Sequence, residues 1–497
     1  MRHDTQVVAR GLVISWRTAV AEKLLINGEW VPAASGATFP TLDPATGAVL
    51  AEVADGGAAD VDAAVAAATA AFEAWAAVPP AEKAKMLWRV ADLIDAHAAE
   101  LAPLETKDQG QPIAISTNVS IPFAAEVFRY YAGYATKIEG QTVPLSIPGT
   151  LFYTRREPIG VCGLITPWNF PFMIAAWKIA PALASGNTVI VKPAEQTPLS
   201  TIRLGEFCLE AGIPAGVVNV ITGGPEAGKA IVNHPGVKKI SFTGSTEVGK
   251  SILRSSADNL TRVTLELGGK APSIIMPDAD LDAAVVGNLQ GALLNSGQVC
   301  KAYTRFYAHS SIADEFAEKL AGIASSLPMG QGISEETVVG PLVSEEQVNQ
   351  VSRFVDIAKQ EGAVLVGGGN RASGELAEGF FFEPTVFKNV TDVMTIAKEE
   401  IFGPVLSVLS FDEEDEAIAR ANDTVYGLGA SLWTSDLSTA HRMAAKIHAG
   451  TVYINSLPFL DPAAIHGGFG ASGFGRELGK GSIEEFTEEK GVWIGGL

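Results

Sequence analysis

The 497-residue chain, 47% hydrophobic and 19% charged, is too long for a single hydrophobic core, and its 51 Gly and 27 Pro are dispersed, which excludes a small scaffold and bulk disorder. Thirty-six Lys and Arg against 56 Asp and Glu leave a net charge of −20, a field that repels phosphate backbones and anionic lipids, so no nucleic-acid and no membrane partner is expected. Three scattered cysteines, Cys162, Cys208 and Cys300, form neither a disulfide framework nor a metal-ligand spacing, which predicts no metal site and a reducing, cytoplasmic setting.

The first 22 residues carry Arg2, Arg10 and Arg17 with only Asp4 and Glu22 acidic, a faint likeness to a transit peptide. A disordered tail over 1–20, or an over-long reading frame, is the preferred reading. An Ala-rich helix is predicted from Ala58 to Ala77, and Pro80 opens a second through about Lys107, with Leu87, Val90, Leu93 and Ile94 on one stripe. Gln141 to Arg156, rich in Pro and β-formers, reads as an edge hairpin or arm. Short apolar runs then alternate with amphipathic stretches. Strands are expected at Gly160 to Ile165, Thr188 to Val191, Val217 to Ile221, Lys238 to Phe242 and Arg262 to Glu266, with helices such as Leu199 to Ala211 and Glu226 to Val232 between them. This is the texture of βαβ crossovers and a buried parallel sheet. The second half repeats it, with helices at Leu281 to Leu294 and Glu346 to Gln360 and strands at Val405 to Leu409 and Thr451 to Asn455, so a second α/β domain follows. The tail from Ser482 is another arm-like piece.

Chemistry concentrates at three places. Cys300 follows a helix that ends near Gly297, which puts the thiol in a tight turn. A lone cysteine is commonly inert core, but this one stands among Gly, Gln and Lys301, and a nearby cation favours the thiolate. No histidine sits in a recognisable catalytic motif with it. Glu266 closes an apolar strand just before Gly268 and Gly269, at the end of an open α/β sheet where ligands bind, and a carboxylate among apolar residues has the raised pKa of a general base. Phe242-Thr243-Gly244-Ser245 is a strand, a glycine turn and a helix start that offers free N–H groups to a phosphate. Gly223-Gly224-Pro225 is a similar turn, and both also suit ordinary capping.

Seven ordered segments carry a further signal: Ile165-Thr-Pro-Trp168-Asn169-Phe-Pro, Val191-Lys192-Pro-Ala-Glu195, Phe242-Thr-Gly244-Ser245, Leu265-Glu266-Leu267-Gly-Gly269, Gly297-Gln-Val-Cys300, Glu400-Ile-Phe402-Gly-Pro404 and Ser472-Gly-Phe-Gly-Arg476-Glu477. Together they strongly resemble the aldehyde dehydrogenase superfamily from about Leu24 to the C-terminus. The resemblance implies two open α/β, Rossmann-like domains with a β-hairpin oligomerisation arm. The cofactor domain falls on 21–138 and 160–268, the catalytic domain on 269–478 and the arm on 139–159 and 479–497. It also implies NAD-dependent oxidation of an aldehyde to the carboxylic acid in a homo-oligomer, a dimer or tetramer. Cys300 takes the nucleophile's place and Asn169 that of the oxyanion amide. Glu266 becomes the base that activates water for thioester hydrolysis, with Lys178 and Glu477 behind it as a proton relay or, equally, a structural ion pair.

For NAD the same resemblance places Lys192 and Glu195 at the adenosine ribose, Trp168 and Ser245 near the pyrophosphate, and Glu400 beside Phe402 at the nicotinamide ribose. Ile165, Gly224, Phe242, Thr243, Gly244 and Leu267 complete the cofactor set. The Glu195 carboxylate accepts from ribose hydroxyls and repels a 2′-phosphate, which favours NAD over NADP. Alignment of the motifs lines the substrate tunnel with Phe123, Phe170, Met173, Trp177, Leu294, Val299, Phe459 and His466, unless these are plain core. No acidic side chain stands among them, so a neutral hydrophobic aldehyde, arylacetaldehyde-like, is expected, with a polar aldehyde or semialdehyde as the alternative. The chain departs from the family at Tyr303 and by lacking a lysine in Gly467-Gly-Phe-Gly470-Ala-Ser472. Rival readings from other classes are a thiol acyl-transfer enzyme and a non-catalytic scaffold.

Overall fold

The computed structural model describes residues 22–496, so the expected tail at 1–20 lies outside the described residues. Two sheets organise the chain. The first has eight strands in the order Gly473–Phe474, Arg262–Glu266, Lys239–Thr243, Val161–Ile165, Thr188–Lys192, Val218–Val220, Leu24–Ile26 and Glu29–Val31. The five central strands are parallel, and almost every residue in them is buried because helices cover both faces. The chain runs outward from Val161–Ile165 to Val218–Val220, then returns to the other side of Val161–Ile165 for the last two. That reversal opens a crevice at the carboxyl ends of Val161–Ile165 and Lys239–Thr243, the place where such sheets bind ligands.

The second sheet has seven strands, Val364–Gly367, Thr385–Lys388, Val405–Phe411, Tyr303–His309, Ala271–Ile275, Gly429–Trp433 and Thr451–Ile454, parallel except at the first edge. The expected helices and strands of both halves occur within one or two residues of their predicted ends. One prediction fails: the helix expected from Pro80 to Lys107 is two helices, Pro80–Ala96 and Ala98–Gln109, because His97 leaves the helical region at φ −108°, ψ 12°. The second helix contains Pro103, which lacks an N–H for the intrahelical ladder, and it closes on Gly110 at φ 95°.

The arm is a long antiparallel ribbon. Thr150–Pro158 pairs with Thr487–Gly495 along its whole length, and residues 141–143 fold back onto the other edge of the same strand. The expected hairpin is therefore joined by a strand more than 300 residues away. Trp493, Ile494, Ile147 and Leu151 stand exposed on it.

The short strand Gly473–Phe474 brings the C-terminal segment against the carboxyl end of Arg262–Glu266, pairing Gly473 with Glu266 and Phe474 with Leu265. Gly473 has φ 106°, and a Cβ there would overlap the Leu265 carbonyl oxygen. Gly473→Ala is therefore expected to cost roughly 1–3 kcal/mol, the range for one strained backbone position. It should also lower activity more than the stability loss accounts for, because it pushes on the strand that ends in Glu266. Thermal unfolding beside a turnover assay checks both; an unchanged midpoint and rate would contradict this.

Candidate active site

The turn that leads to Cys300 is built by conformation. The Leu281–Leu293 helix gives way to a tight turn at Leu294–Gly297 in which Asn295, Ser296 and Gly297 have φ of 48°, 57° and 77°. Three successive left-handed residues are costly for any chain and are held by surrounding bonds. Asn295 Nδ2 donates to the Asn169 carbonyl, Ser296 Oγ to the Gly340 carbonyl and Gln298 Nε2 to the Asn295 carbonyl, while Gln298 Oε1 accepts from Val343 N–H. Only glycine fits at 297, where a Cβ would overlap the Gly403 carbonyl. Cys300 follows three residues later.

Asn169 precedes the Pro171–Ala184 helix, and its Nδ2 donates to the Gln298 carbonyl at 2.9 Å, which fixes the amide beside that turn. An amide nitrogen carries two hydrogens, so one remains to donate. Glu266 is 1% exposed at the end of its strand. Burial is the chief cause that raises its carboxyl to about 8, against the opposing pull of Lys178, Lys301 and Arg476. Oε2 meets His466 Nδ1 at 3.1 Å, and Oε1 has no hydrogen-bond partner among the described residues. The loop between the two sheets closes over the site: a Cβ on Gly269 would meet the Cys300 carbonyl at 2.5 Å, and the Gly269 N–H donates to Glu400 Oε1 at 3.0 Å.

The sequence suggests a thiolate at Cys300 through Lys301. Lys301 does pull the thiol down, but burial outweighs it. Although the residue is half-buried as a whole, burial of its thiol dominates and pushes it up to about 12, with Glu400 and Glu266 adding to the effect and Lys301 opposing it. Lys301 is itself buried, which lowers its own pKa; its Nζ donates to Thr451 Oγ1 at 3.3 Å and lies over the Tyr453 ring.

Lys178 and Glu477 form a fully buried ion pair, and both bond Ser241 Oγ, at 2.9 Å from Nζ and 2.8 Å to Oε1. Among the described residues no hydrogen bond joins either of them to Glu266; the contact to that carboxylate comes from His466. Sequence reading missed Asn295, Gln298 and Ser241. The run Asn-Ser-Gly was the available signal for the first two.

Six of the residues expected to line a tunnel, Phe123, Phe170, Met173, Trp177, Leu294 and Val299, belong to or pack on one apolar cluster. Met173 and Trp177 are one helical turn apart and share a face. His466 stacks on Trp177 at 5.3 Å. Phe459 does not join them: it is 68% exposed, in an irregular loop whose neighbour Leu460 packs inward instead.

The crevice of the first sheet gathers the expected cofactor residues. Ile165, Lys192 and Thr243 end its strands, and Phe242 and Leu267 are buried beneath it. Glu195 is partly exposed, with its carboxylate 3.7 Å from Lys192 Nζ, and Gly224 caps the Pro225–Asn233 helix with open space at its Cβ position. Ser245 is exposed at the start of the Thr246–Asn259 helix and caps it by accepting from Val248 N–H, while Gly244 lets that turn lie directly on the Phe242 ring. Glu400 is raised to about 7 by burial, and Trp168 and Phe402 meet edge to face at 5.1 Å nearby. Two carboxylates for ribose hydroxyls and an open helix N-terminus for a pyrophosphate fit a dinucleotide. Among the described residues no group of three or more His, Cys, Asp or Glu is placed to hold a metal ion, and no helix is long and apolar enough to cross a membrane.

Comparison with known proteins decides the lineage. The aldehyde dehydrogenase family model matches residues 30–492. The chain belongs to that family. Human mitochondrial aldehyde dehydrogenase is 46% identical over 478 residues, covering 95% of this chain and 92% of its own length. The mitochondrial benzaldehyde dehydrogenase of Antirrhinum majus is 46% identical over 475 residues, covering 95% and 88%. An aldehyde dehydrogenase from Bacillus cereus, solved as an NAD+ complex, shares 48% identity with a TM-score of 0.94 over 96% of this chain and 97% of its own. This aldehyde dehydrogenase is thus an NAD-dependent oxidoreductase acting on an aldehyde.

For a thiol raised this far, alkylation depends on the small thiolate fraction. Inactivation of this aldehyde dehydrogenase by iodoacetamide should therefore accelerate about tenfold per pH unit between roughly 7 and 9. Peptide mapping should find the label on Cys300 and not on the fully buried Cys162 and Cys208. A rate that is flat across that range would show a thiol already ionised.

Proposed function

We propose that this aldehyde dehydrogenase oxidises a hydrophobic or aromatic aldehyde to the acid through a covalent thioester on Cys300 that is hydrolysed by water activated at Glu266. The observation that carries this reading is the buried carboxylate with one oxygen that has no hydrogen-bond partner among the described residues, within electrostatic reach of a buried thiol. The Cys300 thiol gives up its proton to solvent, its thiolate adds to the aldehyde carbonyl, and the alkoxide of the thiohemiacetal is stabilised by the remaining Asn169 amide hydrogen and the Cys300 backbone N–H. Bound NAD supplies the acceptor for the hydride that leaves the adduct carbon. Water then attacks the thioester carbonyl as Glu266 takes its proton, the C–S bond breaks, and the acid departs. Lys178 and Glu477, bonded to each other and to Ser241 and not to Glu266, stand behind it as a proton relay or, equally, as a structural ion pair.

Lys192 and Glu195 hold the adenosine ribose, Trp168 and Ser245 the pyrophosphate, and Glu400 beside Phe402 the nicotinamide ribose. Ile165, Gly224, Phe242, Thr243, Gly244 and Leu267 shape the crevice. The Glu195 carboxylate makes NAD the preferred form over NADP. The separate sheets support assigning 21–138 and 160–268 to the cofactor and 269–478 to catalysis. The exposed Leu151, Trp493 and Ile494 on the Thr150–Pro158 and Thr487–Gly495 ribbon support a homo-oligomer formed through the expected arm, 139–159 and 479–497.

The substrate reading rests on Phe123, Phe170, Met173, Trp177, Leu294 and Val299, an apolar wall, and is supported by the benzaldehyde dehydrogenase relative. Glu266→Gln should release one equivalent of NADH per site at the normal single-turnover rate while steady turnover falls about 10²–10⁴-fold, the usual contribution of a general base. Unimpaired turnover in that variant would remove Glu266 from the mechanism. A panel of phenylacetaldehyde, betaine aldehyde, a short alkanal and succinic semialdehyde should give the highest kcat/KM with phenylacetaldehyde. A win for either charged compound would overturn the substrate reading.

A further inference from the structure

One buried contact has no part in those steps: the imidazole of His466 against the carboxylate of Glu266. The two residues are 200 apart in sequence, 3% and 1% exposed, with Nδ1 3.1 Å from Oε2. His466 is held rigidly. Its backbone N–H donates to the Glu477 carbonyl at 2.7 Å and its carbonyl accepts from the Glu477 N–H at 2.8 Å, while its ring lies against Trp177. The next residue, Gly467 at φ 146°, leaves the space that Oε1 of Glu266 borders; a Cβ there would stand 2.8 Å from that oxygen.

The charged groups around the pair are unequal. Glu266 faces Lys178 from the Pro171–Ala184 helix, Lys301 from the nucleophile turn, and Arg476 and Glu485 from the C-terminal segment. His466 faces Lys301, Lys178 and Arg476, with Glu477 as an anion beside Glu266 itself. Burial first, then those cations, hold the ring well below the usual histidine range, so it is neutral and has a single N–H to give. Against the ionised form of Glu266, the form that can act as the base, that hydrogen belongs on Nδ1.

We propose that His466 is a positioning residue for the hydrolytic half of the reaction: its Nδ1–H grips Oε2 of Glu266, presents Oε1 to the water, and favours the charged carboxylate. This rests on the reading of Glu266 as the base. In the step itself a water O–H bond breaks and its proton passes to Oε1. The oxygen bonds to the thioester carbonyl carbon, and the C–S bond breaks with its electron pair returning to Sγ of Cys300. His466 stays neutral throughout.

His466→Phe keeps an aromatic ring on Trp177 and removes the donor. It should form its first equivalent of NADH at the wild-type single-turnover rate. Steady turnover should fall about 10- to 100-fold, the range for a lost hydrogen bond to a charged group. The acid limb of kcat should move upward by about one pH unit, because the carboxylate loses a bond that favours its charged form. His466→Asn, whose amide nitrogen sits near the place of Nδ1, should recover most of the rate and return the acid limb. If the phenylalanine variant does not fold, His466→Leu serves the same comparison. An unmoved acid limb with normal turnover overturns the proposal, and so does an equal loss of the first NADH and of steady turnover. Glu266→Gln run alongside separates the two readings: normal thioester hydrolysis there removes the base itself, whereas blocked hydrolysis with an unaffected His466→Phe removes only the role of His466.

Discussion

A carboxyl group enclosed in protein is costly to ionise unless donors or cations surround it, and the cost runs to several kcal/mol. Glu266 is such a group, and much of the molecule is arranged about it. Its strand lies between a parallel neighbour, Lys239–Thr243, and a two-residue strand from the far C-terminal segment, so the backbone holding the carboxylate is fixed on both edges. Lys178, Lys301 and Arg476 supply positive charge at a distance, while His466 supplies the direct contact. Burial outweighs those cations and holds the carboxyl up at about 8.

The same economy governs the junction of the two sheets. Leu267 to Lys270 leave the first sheet and enter the second, and the two glycines in that loop have no room for side chains. At 268 a Cβ would overlap the Glu400 carboxylate, and at 269 it would press on the Cys300 carbonyl. The loop that follows Glu266 therefore touches both the turn carrying Cys300 and the Glu400 carboxylate. Cys300 and Glu400 press on one short piece of backbone, so a shift in either sheet is felt at both.

Much of this was legible in the sequence because buried parallel strands are written as short apolar runs between turn residues, and the reacting groups are unusual residue types in unusual places. Cys300 among Gly and Gln, and Glu266 closing an apolar run, announce themselves. What escaped depends on distance along the chain or on burial. Lys301 next to Cys300 suggests an ionised thiol, yet enclosure raises the thiol and weakens the lysine together. Phe459 is apolar, but its hydrophobicity does not say which way an irregular loop turns. The helix break at His97 lies in a stretch with good helical periodicity, and only the later Pro103 hints at it. The contact of His466 with Glu266 joins positions 200 apart and has no local signature.

The strand Gly473–Phe474 and the ribbon strand Thr487–Gly495 are among the last residues of the chain, and both are laid onto segments made hundreds of residues earlier. Contacts of such long sequence separation form late. A chain still emerging from the ribosome carries its thiol and its base well before the pocket that couples them is closed. Until the segment carrying Gly473 and Phe474 has been made, the strand that ends in Glu266 has an unpaired edge at Leu265 and Glu266.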